Sequence, residues 1–240
     1  GRTWGKGVAA RLDSVLTLVT DHLGPYPFPE LILVDSRGDL GAAPGMIYTG
    51  ELGYFELAMA LSQMYVPTMV ATNGYEHAWL ARGLGVSLAK KAAKLAYGEK
   101  GYPVDKAQED MSWLERQYPL PTFDQAHRTF TLLYSESGQN EEISQKTNDY
   151  QDPVGYVANI FMKSPLFFEM LEFVVGSTNY KETLRTFVSK FRYRTAGEQD
   201  FQGVAEAVYG EDLDWFFSQW LHDTPTVDYA KGKTTQYPVS

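Results

Sequence analysis

Apolar side chains recur at helical spacing along most of this chain, broken by two short strand-like stretches and one long polar one. Leu12, Val15, Leu16, Val19 and Leu23 mark one face of a helix over residues 8–23, which stops at Gly24-Pro25. Leu31 to Val34 is a continuous apolar run too short for a helix and reads as a buried strand. Met46 to Tyr48, bounded by the turn-forming Ala43-Pro44-Gly45, reads as a second strand. Helices are predicted over residues 51–65, 75–97 and 104–117, separated by Pro67, Asn73-Gly74 and the segment from Gly98 to Pro103. Residues 135–152 hold almost no apolar side chain and predict a long, mobile polar loop. Helical spacing resumes over residues 154–175, 180–191, 198–209 and 212–221. Two early strands followed by a run of helices predict an α+β domain with a helical lobe. No linker-like composition divides the chain, so residues 1–240 read as a single domain.

Composition narrows the functions open to such a domain. Hydrophobic residues make up 44% of the 240 positions and charged residues 21%, an ordinary globular balance. A net charge of −9 argues against nucleic-acid binding, which needs clustered Lys and Arg. The one local cluster, Lys90, Lys91 and Lys94, has helical spacing and reads as a solvated helix face. The chain has no cysteine, which removes disulfides, thiolate metal sites and Cys nucleophiles together. The apolar stretch from Tyr54 to Ala71 is interrupted by Glu56, Ser62, Gln63 and Pro67, so it reads as a buried core helix and not a membrane span. His22, His77, His127 and His222 are scattered without metal-binding spacing. Ser62 and Ser87 have no evident His partner, and Gly83 and Gly85 lie inside a helix as close-packing positions.

Four segments, in order, resemble the catalytic domain of the gluzincin zinc aminopeptidases. Leu23 to Ser36 (LGPYPFPELILVDS) is similar to the family's helix-turn-strand entry. Ala43 to Glu51 (APGMIYTGE) is similar to the Gly-Met-bearing edge strand that lines the substrate cleft. Trp79 to Ala89 (WLARGLGVSLA) resembles the helix that opens Trp-Leu-x-Glu-Gly in active members. Asn179 to Leu221 resembles the closing helices, with Phe-Phe-x-Gln-Trp-Leu at residues 216–221. The resemblance implies a thermolysin-like zincin fold, with a small N-terminal sheet and a mainly helical lobe. It also implies that the chain is a fragment, because the family usually carries a β-sandwich before this domain and often helices after it. The parent it suggests is a bacterial exported or membrane-attached protein.

Active members of that family use His-Glu-x-x-His on one helix, the two His one turn apart on one face, with a third Glu ligand on the next helix. Laid on this sequence, the resemblance puts Met59, Ala60 and Gln63 on the His, Glu and His positions, and Arg82 on the third ligand. The eighteen residues 64–81 between Gln63 and Arg82 match the family's spacing without a gap. Met59 offers a thioether, Gln63 a neutral amide, and Ala60 no proton acceptor for activating water. Arg82 places a permanent cation where a carboxylate would hold the metal. Two such charges repel by about 4 kcal/mol at close range in a partly wet protein. Phe161 stands where a Tyr stabilises the oxyanion, unless Tyr156, five residues earlier, is the true match. Gly45, Met46, Ile47 and Tyr48 form the remnant of the substrate cleft, with Ile47 in place of the Glu that grips an α-amino group. These replacements imply no catalytic residue, metal or cofactor. They predict a pseudopeptidase whose domain binds or scaffolds a protein or peptide partner. The competing reading is an active zinc peptidase with relocated ligands.

Overall fold

The computed structural model describes residues 2–36, 41–49, 53–98, 113 and 123–224. Helix α1 (Arg2–Leu23) buries Val8, Val15, Val19 and Leu23 along the predicted face. It ends at Gly24, whose φ of 93° and N–H bond to Thr20 O form a left-handed stop. Strands β1 (Ile32–Asp35), β2 (Gly41–Ala43) and β3 (Met46–Thr49) follow in a sheet of order β1-β3-β2, with β1 parallel and β2 antiparallel to β3. Both predicted strands are there, but β1 is not buried as expected: Ile32 is 47% exposed and Leu33 and Val34 are half-buried, because β1 lies at an edge of the sheet. β2 has no signature in the sequence, because Gly-Ala-Ala carries no apolar alternation.

The helical lobe comprises α2 (Tyr54–Gln63), α3 (Ala78–Tyr97), α4 (Phe123–Glu136) and α5 (Pro153–Val157), which runs through a π-helical turn (Ala158–Lys163) into α6 (Ser164–Val175). Then come α7 (Ser177–Lys190), α8 (Glu198–Tyr209) and α9 (Asp214–Phe217), the last extended by a second π-helical turn (Ser218–His222). A small sheet and a mainly helical lobe are the expected α+β architecture. The predicted helix over 104–117 lies outside the described residues apart from position 113, and α4 is a helix beyond those predicted above. No helix among the described residues is long and apolar enough to cross a membrane.

α3 is the hub, packing against α1, α2, the first π turn and α6. Two glycines allow that approach. A methyl group at Gly83 would stand 2.9 Å from Ser164 Cβ and 3.1 Å from Phe168 Cε2; one at Gly85 would stand 3.3 Å from Ser62 Oγ. Trp79, fully buried at the start of α3, meets the rings of Phe167 at 5.2 Å, Phe168 at 5.9 Å and Phe201 at 6.4 Å. This aromatic cluster ties α3 to α6 and α8.

Two expectations need correction. Lys90 and Lys91 are not a solvated face. Lys90 is 3% exposed and pairs with Asp124 at 2.8 Å and with Glu169. Arg128 bonds the same two carboxylates. Lys91 pairs with Glu172 and sits 5.8 Å from the centre of the Tyr180 ring. α4 and α6 cover the face that spacing alone assigned to water, and each ammonium there meets a carboxylate from them. Burial alone would raise the Asp124 carboxyl, but Lys90 and Arg128 hold it down at about 2. Nor is the polar stretch after α4 loosely held. Ile143 and Tyr150 are buried, and Tyr150 OH donates to Ile143 O at 2.8 Å. Backbone bonds from Ser144 N to Leu221 O (2.9 Å) and from Thr147 N to Tyr75 O (2.8 Å) stitch the stretch to both halves of the lobe.

Candidate functional site

α2 presents the first three candidate positions. Met59 and Gln63 are half-buried and Ala60 is buried. Met59 faces α3, its Cγ lying 3.7 Å from where a Gly85 side chain would begin. Ser62 Oγ donates to the carbonyls of Ala58 (2.7 Å) and Met59 (3.0 Å), so it is held within its own helix and serves no nucleophilic role. Arg82 rises from the second turn of α3 and is exposed. Among the described residues no ion pair joins it to Glu56 or to any other carboxylate. Phe161, on the first π turn, meets the ring of Tyr156 at 6.1 Å, and Tyr156 in turn meets Tyr150 at 5.5 Å. α2 and the π turn both pack on α3, which gathers the elements carrying these positions around one helix.

The donor set there does not suit Zn²⁺. A thioether, a neutral amide, a methyl group and an exposed guanidinium supply no anionic or imidazole ligand. Among the described residues, one carboxylate group has metal-like spacing: Glu206, Asp212 and Asp214. It lies at the α8–α9 junction, where Glu206 Oε1 accepts from Leu213 N at 3.1 Å and Asp212 Oδ1 from Asp214 N at 2.9 Å. These bonds shape the turn.

The proposed cleft strand is corrected by the sheet. β3, with Met46, Ile47 and Tyr48, is the middle strand among the described residues, so β1 and β2 take up its backbone hydrogen bonds. Ile47 is fully buried and faces the core. Gly45, at φ 73°, turns the chain between β2 and β3, where a side chain would press 3.2 Å against Glu30 O. Among the described residues the edge positions belong to β1 and β2.

Three cavities lie elsewhere, and none is lined by Met59, Ala60, Gln63, Arg82 or Phe161. One of about 540 Å³ separates the end of α1 from α7, with Arg185 and Arg192 at its rim. A polar one of about 700 Å³ brings together His77, Glu198, Asp200 and His222, residues that sequence spacing left scattered. In it His222 Nε2 is 2.5 Å from Glu198 Oε1, and Ser144 donates to the other oxygen of the same carboxylate. The glutamate stands between serine and histidine, so the imidazole cannot take the hydroxyl proton, and this is no nucleophile-base pair. A third, mainly apolar groove of about 400 Å³ runs between α4, α6 and the second π turn, with Lys163 in its wall.

A family model described as the peptidase family M1 domain matches residues 65–220, well over half of the chain. The chain belongs to peptidase family M1. The match begins just past Gln63 and takes in Arg82 and Phe161. Among solved structures, this M1 chain is similar to a mutant M1 zinc metallopeptidase from Deinococcus radiodurans bound to a Tyr-Ser-Ala substrate. The TM-score is 0.65 at 14% identity, over 89% of this chain and 44% of that one. The same enzyme without the mutation gives a TM-score of 0.62 at 14% identity, over 94% of this chain and 46% of the other. Leukotriene A4 hydrolase from Saccharomyces cerevisiae gives 0.58 at 16% identity, over 91% and 35%. The M1 domain thus spans less than half the length of these relatives. At such identity the likeness establishes the fold.

Proposed function

We propose that this M1 domain is a non-catalytic pseudopeptidase that serves as a binding or scaffolding module for a protein or peptide partner. One observation carries the reading: Arg82, on the helix where the family resemblance calls for an anionic ligand, is a permanent cation. Met59, Ala60 and Gln63 support it, because they leave neither imidazole nor carboxylate on the facing turn of α2.

Metal analysis of protein purified from zinc-replete medium tests this directly. The expected result is substoichiometric zinc and no chelator-sensitive hydrolysis of aminoacyl substrates. One equivalent of zinc with such hydrolysis would overturn the proposal. The search for ligands would then move to His77 and His222, the two imidazoles that share a cavity.

A further inference from the structure

Lys163 closes the first π turn, and its ammonium is buried with no carboxylate in ion-pair contact among the described residues, the exposed Glu142 acting on it only through space. The side chain is 8% exposed, and Nζ reaches only two neutral acceptors, Asn140 Oδ1 and Glu141 O, each at 3.3 Å. Among the described residues no carboxylate pairs with it. The neighbouring Glu141 side chain is turned away, accepting from Tyr134 OH (3.0 Å), Gln145 Nε2 (3.2 Å) and Gln151 N (2.9 Å). The other buried lysine among the described residues, Lys90, is matched by acids, so Lys163 is the exception. A buried ammonium with an unused N–H and no anion in contact is costly unless something supplies one.

The place where it is buried has the form of a ligand groove. Its volume of about 400 Å³ falls in the range of small-molecule sites, and Leu132, Leu166 and Trp220 supply much of its wall. Leu132 is 50% exposed at the mouth. Both π-helical turns meet here, the first through Lys163 and the second through Gln219 and Trp220. Such turns are rare and concentrate at functional sites. Of the other charged residues in the wall, Arg128 is held by Asp124 and Glu169. Glu136 is exposed, outside ion-pair distance of Lys163.

We propose that this groove binds a small molecule carrying a carboxylate on an apolar body, with Lys163 as counter-ion and Leu132, Leu166 and Trp220 as the apolar wall. The site shares no residue with the positions on which the pseudopeptidase reading rests, so the two stand or fall separately. Burial pushes the Lys163 ammonium down to about 8 against the pull of Glu142, and a bound carboxylate would raise it again.

Calorimetric titration of the 240-residue protein tests the assignment with two matched pairs: decanoate against decan-1-ol, and N-acetyl-leucyl-leucine against its amide. The wild-type protein is expected to bind at least one acid about tenfold or more tightly than its neutral counterpart. Lys163→Met should erase that preference while keeping the fold, since an apolar residue replaces an unpaired charge. Leu132→Trp, which fills the groove and leaves Lys163 in place, should weaken the acids as well. The preference should also fade as pH rises through about 8. A preference shown by decanoate alone identifies a fatty acyl carboxylate, and one shown by the dipeptide alone identifies the carboxyl end of a peptide. If neither acid outbinds its neutral partner, or if Lys163→Met or Leu132→Trp binds the acids as the wild type does, the proposal is wrong.

Discussion

On the pseudopeptidase reading Arg82 is the decisive side chain, yet it contributes little to holding the fold. It is exposed on α3 and unpaired among the described residues, so Arg82→Glu should shift stability by no more than about 0.5 kcal/mol in thermal melts. The same change matters once the facing turn of α2 is restored. Met59→His, Ala60→Glu, Gln63→His and Arg82→Glu together should create a site that retains one equivalent of zinc through gel filtration. Omitting Arg82→Glu from the set should abolish that retention, because the guanidinium would face the metal. A quadruple variant that folds and holds no zinc would show that α2 and α3 do not face each other in this register.

Among the elements, the α3 crossings were legible in outline, since Gly83 and Gly85 inside an apolar helix already pointed to close packing. Their substitution should separate two effects of the same mutation. Gly83→Ala should cost about 1–3 kcal/mol, because the new methyl meets Ser164 Cβ at 2.9 Å and Phe168 Cε2 at 3.1 Å. Gly203→Ala in α8, with open space around it, should instead stabilise by up to about 1 kcal/mol through helix propensity. Chemical denaturation of the two variants side by side would show opposite signs. Lys90 illustrates what periodicity could not convey. Its spacing matches a solvated face, and only the arrival of Asp124 on α4 and Glu169 on α6 makes it interior. The 135–152 stretch hides its order for a related reason: Ile143 and Tyr150 anchor it, and two buried side chains leave no pattern in a polar sequence. The meeting of His77 with His222 is likewise a product of tertiary folding.

For the molecule as a whole, acid sensitivity should have two stages. His127 is buried, and that burial, with Lys90 nearby, lowers its ring to about 4. Burial also lowers His22, against the pull of its bond to Leu18 O. A histidine whose folded pKa is depressed adds no cost above its unfolded value of about 6.5 and destabilises as pH falls below it. Stability should therefore decline between pH about 6.5 and 4, by about 3 kcal/mol for His127 alone. Below that window Asp124 loses its charge as pH falls through about 2, and the Lys90 cluster loses a member. Melting curves across this range should show His127→Gln with a flatter decline than the wild type. A parallel decline would mean that His127 does not titrate as its surroundings require.

β2 is three residues long, Gly41–Ala43, with its antiparallel partner on one side and small side chains throughout. An extended segment of another protein added to that rim would find room for only about three residues of main-chain pairing, and its side chains would meet almost nothing. Capture there would be brief and indifferent to residue identity. A durable, selective grip on a partner is therefore not to be expected along β2.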